Sequence, residues 1–225
     1  MRNQSISALL AALAVLGACS DSSSGPGGGG PTADVTVLSA AGRASSVLAS
    51  IGGQTLSPMG PGEYQMVSVP AGSRNFSFQV QGSGITGSAG TVDLVAGDNY
   101  LLIAQDSQGV VVGSLVADTG AIVPAGKSKL RVIHSAGLAP PIDVYRTQPD
   151  FPTLVSVMFP FDFGASSPYL QSDPGDWSVV VTPDNLTDTL YATGPIVVPD
   201  GGRVTVVIVD STATGGISAV VLHEN

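Results

Sequence analysis

Glutamate and lysine are almost missing from this chain, with two of each in 225 residues against 29 Gly and 16 Pro. Those are strong helix formers, so their scarcity beside abundant Val, Thr and Ser excludes a helical protein and points to an all-β one. Basic side chains number eight against 17 acidic ones, for a net charge of −9. Such a balance repels phosphate backbones and excludes nucleic acid as a partner. Fifteen of the acids are Asp, which favours turns and caps, so the negative charge is expected at loops. A single cysteine, Cys19, leaves no internal disulfide, and the fold must rest on its apolar core. Histidine occurs only at His134 and His223. No Gly-x-Ser-x-Gly, His-Glu-x-x-His or phosphate-loop glycine pattern is present, and no cofactor is implied.

The one sustained apolar run, from Ile6 to Leu16, follows Met1-Arg-Asn-Gln-Ser and fits a secretory leader. It is shorter than the ~20 residues a membrane span needs. The run ends in Leu16-Gly17-Ala18-Cys19, which resembles the lipobox of bacterial lipoproteins. The resemblance implies cleavage before Cys19, a signal peptide over 1–18, and lipidation of the new terminal cysteine. Ser20 follows the cysteine, with Asp21 one place later, and this resembles the pattern that favours sorting to the outer membrane over inner-membrane retention. Residues 19–31 then form a Gly/Ser/Pro-rich tether without core-forming side chains. As a flexible coil it reaches roughly 20 Å.

Beyond the tether the chain repeats itself. Val35-Thr-Val-Leu-Ser-Ala-Ala-Gly42 lies over Leu130-Arg-Val-Ile-His-Ser-Ala-Gly137, and Tyr100-Leu-Leu-Ile-Ala-Gln-Asp-Ser107 lies over Val204-Thr-Val-Val-Ile-Val-Asp-Ser211. Between them, Tyr64 is set against Tyr169. Two tandem domains are expected, 32–125 and 126–225, with the extra residues of the second between Gln148 and Phe163. Each holds about seven short strands; in the second these fall near 129–135, 141–146, 154–163, 167–171, 176–182, 187–197 and 202–222. Closely spaced turn signals such as Pro-Gly-Asp and Pro-Asp-Gly-Gly favour β-sandwiches of immunoglobulin-like or transthyretin-like topology.

The segment Arg131-Val-Ile-His-Ser-Ala136, followed by Pro141-Ile-Asp-Val-Tyr145, resembles the bacterial domain-of-unknown-function family 4397, extracytoplasmic β-sandwich modules often carried on lipoproteins. The resemblance covers nearly all of the second domain and, more faintly, the first. It implies a fold and a cellular address, and no settled activity.

Four residues are candidates for binding. His134, at the end of one strand, has Asp143 and Tyr145 on the next, a set that could relay protons or hold a ligand or metal; the reading favoured over that one is structural, a His ring or Asp carboxylate satisfying loop backbone groups where the two strands turn. Phe159 alternates with Phe161 and Phe163, a stripe that packs into the core or presents an aromatic edge to a partner. Asp173-Pro-Gly-Asp176 and Asp184-Asn-Leu-Thr-Asp188 lack the spacing of a calcium loop, so no metal is assigned. The resulting expectation is a non-enzymatic, lipid-anchored envelope protein, structural or binding a protein or glycan, with an extracytoplasmic ligand- or metal-binding domain, hydrolytic at the limit, as the alternative. Cys19→Ala is expected to move the protein from the membrane fraction to the soluble fraction; continued sedimentation with membranes would refute lipid anchoring.

Overall fold

The computed structural model describes residues 30–82, 86–118, 122–148, 153–184, 188–211 and 216–224. The expected signal peptide, Cys19 and almost all of the expected tether lie outside these residues. Eighteen strands fill the described chain. The first nine are β1 (Thr32–Ala40), β2 (Ser46–Ile51), β3 (Gln54–Thr55), β4 (Tyr64–Pro70), β5 (Gly72–Gln81), β6 (Thr86–Gly87), β7 (Ala89–Leu94), β8 (Asn99–Ser107) and β9 (Val110–Asp118). The other nine are β10 (Ser128–His134), β11 (Ile142–Thr147), β12 (Val155–Phe161), β13 (Leu170–Ser172), β14 (Gly175–Pro183), β15 (Tyr191–Ala192), β16 (Ile196–Val198), β17 (Arg203–Asp210) and β18 (Ile217–Glu224).

They form two tandem sandwiches. In the first, sheet β4-β1-β8-β9-β6 faces sheet β3-β2-β5-β7. In the second, β13-β10-β17-β18 faces β12-β11-β14-β15, with β16 also on β14. Immunoglobulin sandwiches place their first two strands side by side in one sheet. Here β1 and β2 fall in opposite sheets, and β1 runs antiparallel to β4 and parallel to β8. β10 repeats this with β13 and β17. Of the two expected topologies, the transthyretin-like one is formed.

Alternation explains each sandwich core. Val35 and Val37 of β1, Val47 and Ile51 of β2, and Leu102 of β8 fill the first. Leu130 and Val132 of β10, Ile142 and Val144 of β11, and Val206 and Ile208 of β17 fill the second. Between β8 and β9 the chain reverses through Gln108 and Gly109, both at positive φ (49° and 94°), the backbone that a tight hairpin requires.

Strands β8 and β17 break the one-sided pattern. They are buried on both faces, because a third apolar cluster joins the two sandwiches. Leu38 and Ala40 of β1 and Leu101 and Ile103 of β8 meet Ile133 of β10, Val207 and Val209 of β17, and Leu222 of β18. The sheets β4-β1-β8-β9 and β13-β10-β17-β18 therefore pack face to face across a seam.

Register revises two expectations. Val35 stands opposite Val67 and Leu130 opposite Leu170, so Tyr169, one place before Leu170, corresponds to Met66 and not to Tyr64. The phenylalanine stripe is also shorter than alternation suggests. β12 ends at Phe161, which is wholly buried, and the chain turns through Gly164 at φ 81°. Phe163 therefore lies off the strand, at 37% exposure. The side chain of Phe159 lies outside the described residues. The extra length of the second repeat appears between β11 and β13, where β12 has seven residues against two in β3.

Candidate functional site

The residues proposed around His134 are distributed over different faces. His134 ends β10 on the same side as Leu130 and Val132, so its ring enters the second core, fully buried. Its Nδ1 accepts the Ala136 N–H at 3.3 Å, and its ring lies 6.0 Å from that of Phe161 and 6.3 Å from that of Phe163. Burial pushes its pKa down to about 4, against a weaker upward pull from the Pro140 carbonyl and Asp162. The ring is neutral at pH 7. Asp143 and Tyr145 alternate with Ile142 and Val144, which belong to the core, so they occupy the outer face of β11. There they stand across from Thr182 and Val180 of β14. Strand alternation thus points His134 inward and Asp143 outward, on opposing sheets.

The seam concentrates charge at both ends. At the end where β1, β8, β10 and β17 begin, Arg131 is 3% exposed. Its Nε donates to Thr205 Oγ1 at 2.7 Å, one terminal nitrogen reaches Glu224 at 3.1 Å, and the other reaches across to the Ala117 carbonyl at 3.4 Å. Its guanidinium lies 4.5 Å above the centre of the Tyr169 ring, a cation–π geometry. The Tyr169 hydroxyl donates to Glu224 and, across the seam, to Asp118 at 3.3 Å. Arg203 pairs with Asp118 at 3.0 Å. Burial, and then repulsion from Glu224, raise the Asp118 pKa against the pull of both arginines. Burial also holds the Tyr169 phenol well above its usual range.

Asp118, Arg131, Arg203 and Glu224 floor a cleft of about 200 Å³ between the sandwiches. Tyr64 and Met66, at 48% and 74% exposure, line it beside Leu222, Arg131, Arg203 and Glu224. The cleft mixes apolar and aromatic surface with fixed polar groups, and it sits where two domains join, a common place for ligand sites. At this size it takes an anchoring group, such as one sugar ring or one side chain, rather than a whole drug-sized ligand, whose pockets run to ~300–1,000 Å³.

At the far end of the seam, Arg43 pairs with the buried carboxylate of Asp106. Asp210, 1% exposed, accepts the Leu138 N–H at 3.2 Å. Gln105 Nε2 crosses to Ser135 Oγ at 2.9 Å. Two glycines permit this closeness: a Cβ on Gly42 would lie 2.6 Å from that of Asp210, and one on Gly137 would overlap the Asp106 carbonyl. None of these groups was among the sequence candidates. The available signal was out-of-phase apolar residues, Leu38, Leu101, Ile103, Ile133 and Val207, on strand faces that alternation assigns to solvent. Among the described residues, no cluster of three His, Cys, Asp or Glu side chains is placed to hold a metal ion.

The chain belongs to the family described as Domain of unknown function (DUF4397), whose model matches residues 31–145. The match spans the whole first sandwich and reaches Tyr145 in the second, whereas the sequence motifs had put the resemblance mainly on the second. No curated protein matches the chain. Among solved structures it is similar to "The Bacillus anthracis TIE protein", at 10% identity over 80% of this chain and 34% of that one, with a TM-score of 0.27. The chain therefore spans about a third of that protein's length.

Two buried groups make opposite contributions to stability as pH falls. Burial pushes Asp210 up to about 6, countered by the Leu138 and Gly137 amides; nearby Asp106 pushes the same way as burial and Arg43 opposes. In an unfolded chain an Asp titrates near 3.9. Below about pH 6 the folded protein thus binds a proton that the unfolded chain lacks, and acidification stabilises it through this group. His134 works in reverse: the unfolded imidazole gains its proton near 6.5 and the buried ring only near 4, so acidification destabilises through it. Between pH 7 and 5, Asp210→Asn should lose about 1–2 kcal/mol relative to wild type and His134→Gln should gain about 1–2 kcal/mol. Denaturant unfolding at a series of pH values measures both, and parallel profiles for the three proteins would contradict these assignments.

Proposed function

We propose that this protein is a non-enzymatic, lipid-anchored protein of the outer membrane that recognises an envelope protein or glycan through the cleft at the seam. The observation that carries the reading is the cleft's composition: Tyr64 and Met66 stand exposed at its wall, beside arginines already fixed by carboxylates. Exposed aromatic and thioether side chains next to a polar, preorganised floor suit recognition of a sugar ring or a peptide side chain. The ionisable groups there hold one another, Arg131 with Glu224 inside the second sandwich and Arg203 with Asp118 across the seam, so their role in this reading is to position and not to react.

The Leu16-Gly17-Ala18-Cys19 motif and the Gly-rich tether support the address. Acyl chains contribute about 0.8 kcal/mol per buried methylene, which makes multiple acylation a lasting anchor. The alternative centred on His134, Asp143 and Tyr145 gains no support from a buried neutral imidazole on a different face from the carboxylate.

Binding of the soluble Cys19→Ala protein to a panel of envelope oligosaccharides and peptides tests the proposal. A binder should emerge whose affinity falls about tenfold or more, roughly 1.4 kcal/mol, in Tyr64→Ala or Met66→Ala, with melting temperature little changed. A panel without binders, or binding indifferent to both substitutions, would overturn the cleft as the site.

A further inference from the structure

Equivalent residues of the two repeats gather in the same seam, and their contacts across it are reciprocal. Strand register sets the equivalence: Val35 stands beside Tyr100 as Leu130 stands beside Val204, and Tyr100 faces Ala117 as Val204 faces His223. Leu38 therefore corresponds to Ile133, Ile103 to Val207, Asp106 to Asp210, and Asp118 to Glu224. All four members of the first two pairs lie in the one apolar seam cluster. Gly42 and Gly137 are likewise equivalent, and their contacts are reciprocal: Gly42 packs on Asp210 while Gly137 packs on Asp106. Residue i touching j while j's counterpart touches i's counterpart is the signature of a two-fold, isologous interface.

Charge departs from that symmetry in a patterned way. At one end the equivalent carboxylates Asp106 and Asp210 have Arg43 from the first sandwich, and the matching position in the second is Leu138. At the other end the equivalent carboxylates Asp118 and Glu224 have Arg131 and Arg203 from the second sandwich, and the matching positions in the first are Thr36 and Asn99. Two first sandwiches paired this way would bury two Asp118 carboxylates without an arginine. Two second sandwiches would do the same with Asp210. Like charges brought together in a desolvated place, without a counter-charge, are strongly disfavoured. Only the mixed pair has cations at both ends.

We infer that the seam is a two-fold dimer interface carried within one chain, and that its arginines make it heterotypic. Each inner sheet is a docking surface for a sandwich of the same fold bearing the complementary arginines. In this protein that partner is the other repeat, and the charge pattern selects against a second copy of the same repeat.

Two experiments on the full chain test this. In the first, a specific protease site is inserted after Ile122, which is 87% exposed in the connection between β9 and β10, and is cut after folding. The halves should co-elute in a 1:1 ratio at the size of the uncut protein, with native mass spectrometry showing mixed pairs only. Halves that separate, or that pair with their own kind, would overturn the inference. In the second, Arg43→Leu should lower the melting temperature, and adding Leu138→Arg should restore at least half of the loss, because position 138 stands to Asp210 as Arg43 stands to Asp106 and the two-fold brings both carboxylates to the same end of the seam. A double variant no more stable than Arg43→Leu would contradict the symmetry.

Discussion

The face-to-face contact of two inner sheets is the constraint on which the rest of this structure depends. A transthyretin-like sandwich closes its own core between two sheets and can leave its outer faces in water. Here β8 and β17 put apolar side chains on both faces, so the inner sheets need a second partner, and each finds it in the other. Their approach is close enough that Gly42 and Gly137 stand where side chains would collide with Asp210 and Asp106. The carboxylates pressed together at the two ends of the contact then require arginines, and the arginines are there. The candidate cleft follows from the same contact: on the first sandwich, Thr36 and Met66 stand where the second has Arg131 and Tyr169, and they fill less of the joint.

Much of the fold was legible because it obeys local rules. Two Glu and two Lys, dense Gly and Pro, and regular turn signals left only β architecture, and period-2 alternation marks strands such as β11 directly. Repeat detection likewise exposed the duplication. The strand order was not legible, since alternation shows which side of a strand is apolar and not which strand lies beside it. Register misled at one point: Tyr64 and Tyr169 are alike in type, but hydrogen bonding pairs Tyr169 with Met66 in position. Only the backbone ladder reveals a two-residue slip of that kind.

The candidate site was barely legible, for a physical reason. His134, Asp143 and Tyr145 were grouped by nearness along the chain, and alternation on facing sheets then sent them different ways. The residues that do meet, Asp118, Arg131, Tyr169, Arg203 and Glu224, are scattered over more than a hundred positions; strand pairing gathers the last four in the second sandwich, and docking adds Asp118 from the first. Isolated arginines in an acidic chain carry no motif. The seam's apolar residues were visible as out-of-phase Leu, Ile and Val, but a strand buried on both faces resembles any short apolar run.

If the seam governs the molecule, neither sandwich is an independent unit, because unfolding one exposes the apolar face and the paired carboxylates of the other. Differential scanning calorimetry of the purified chain tests this most directly. The account predicts one transition, with calorimetric and van't Hoff enthalpies in agreement. Two resolved transitions, or a calorimetric enthalpy about twice the van't Hoff value, would show two sandwiches unfolding separately and would contradict it.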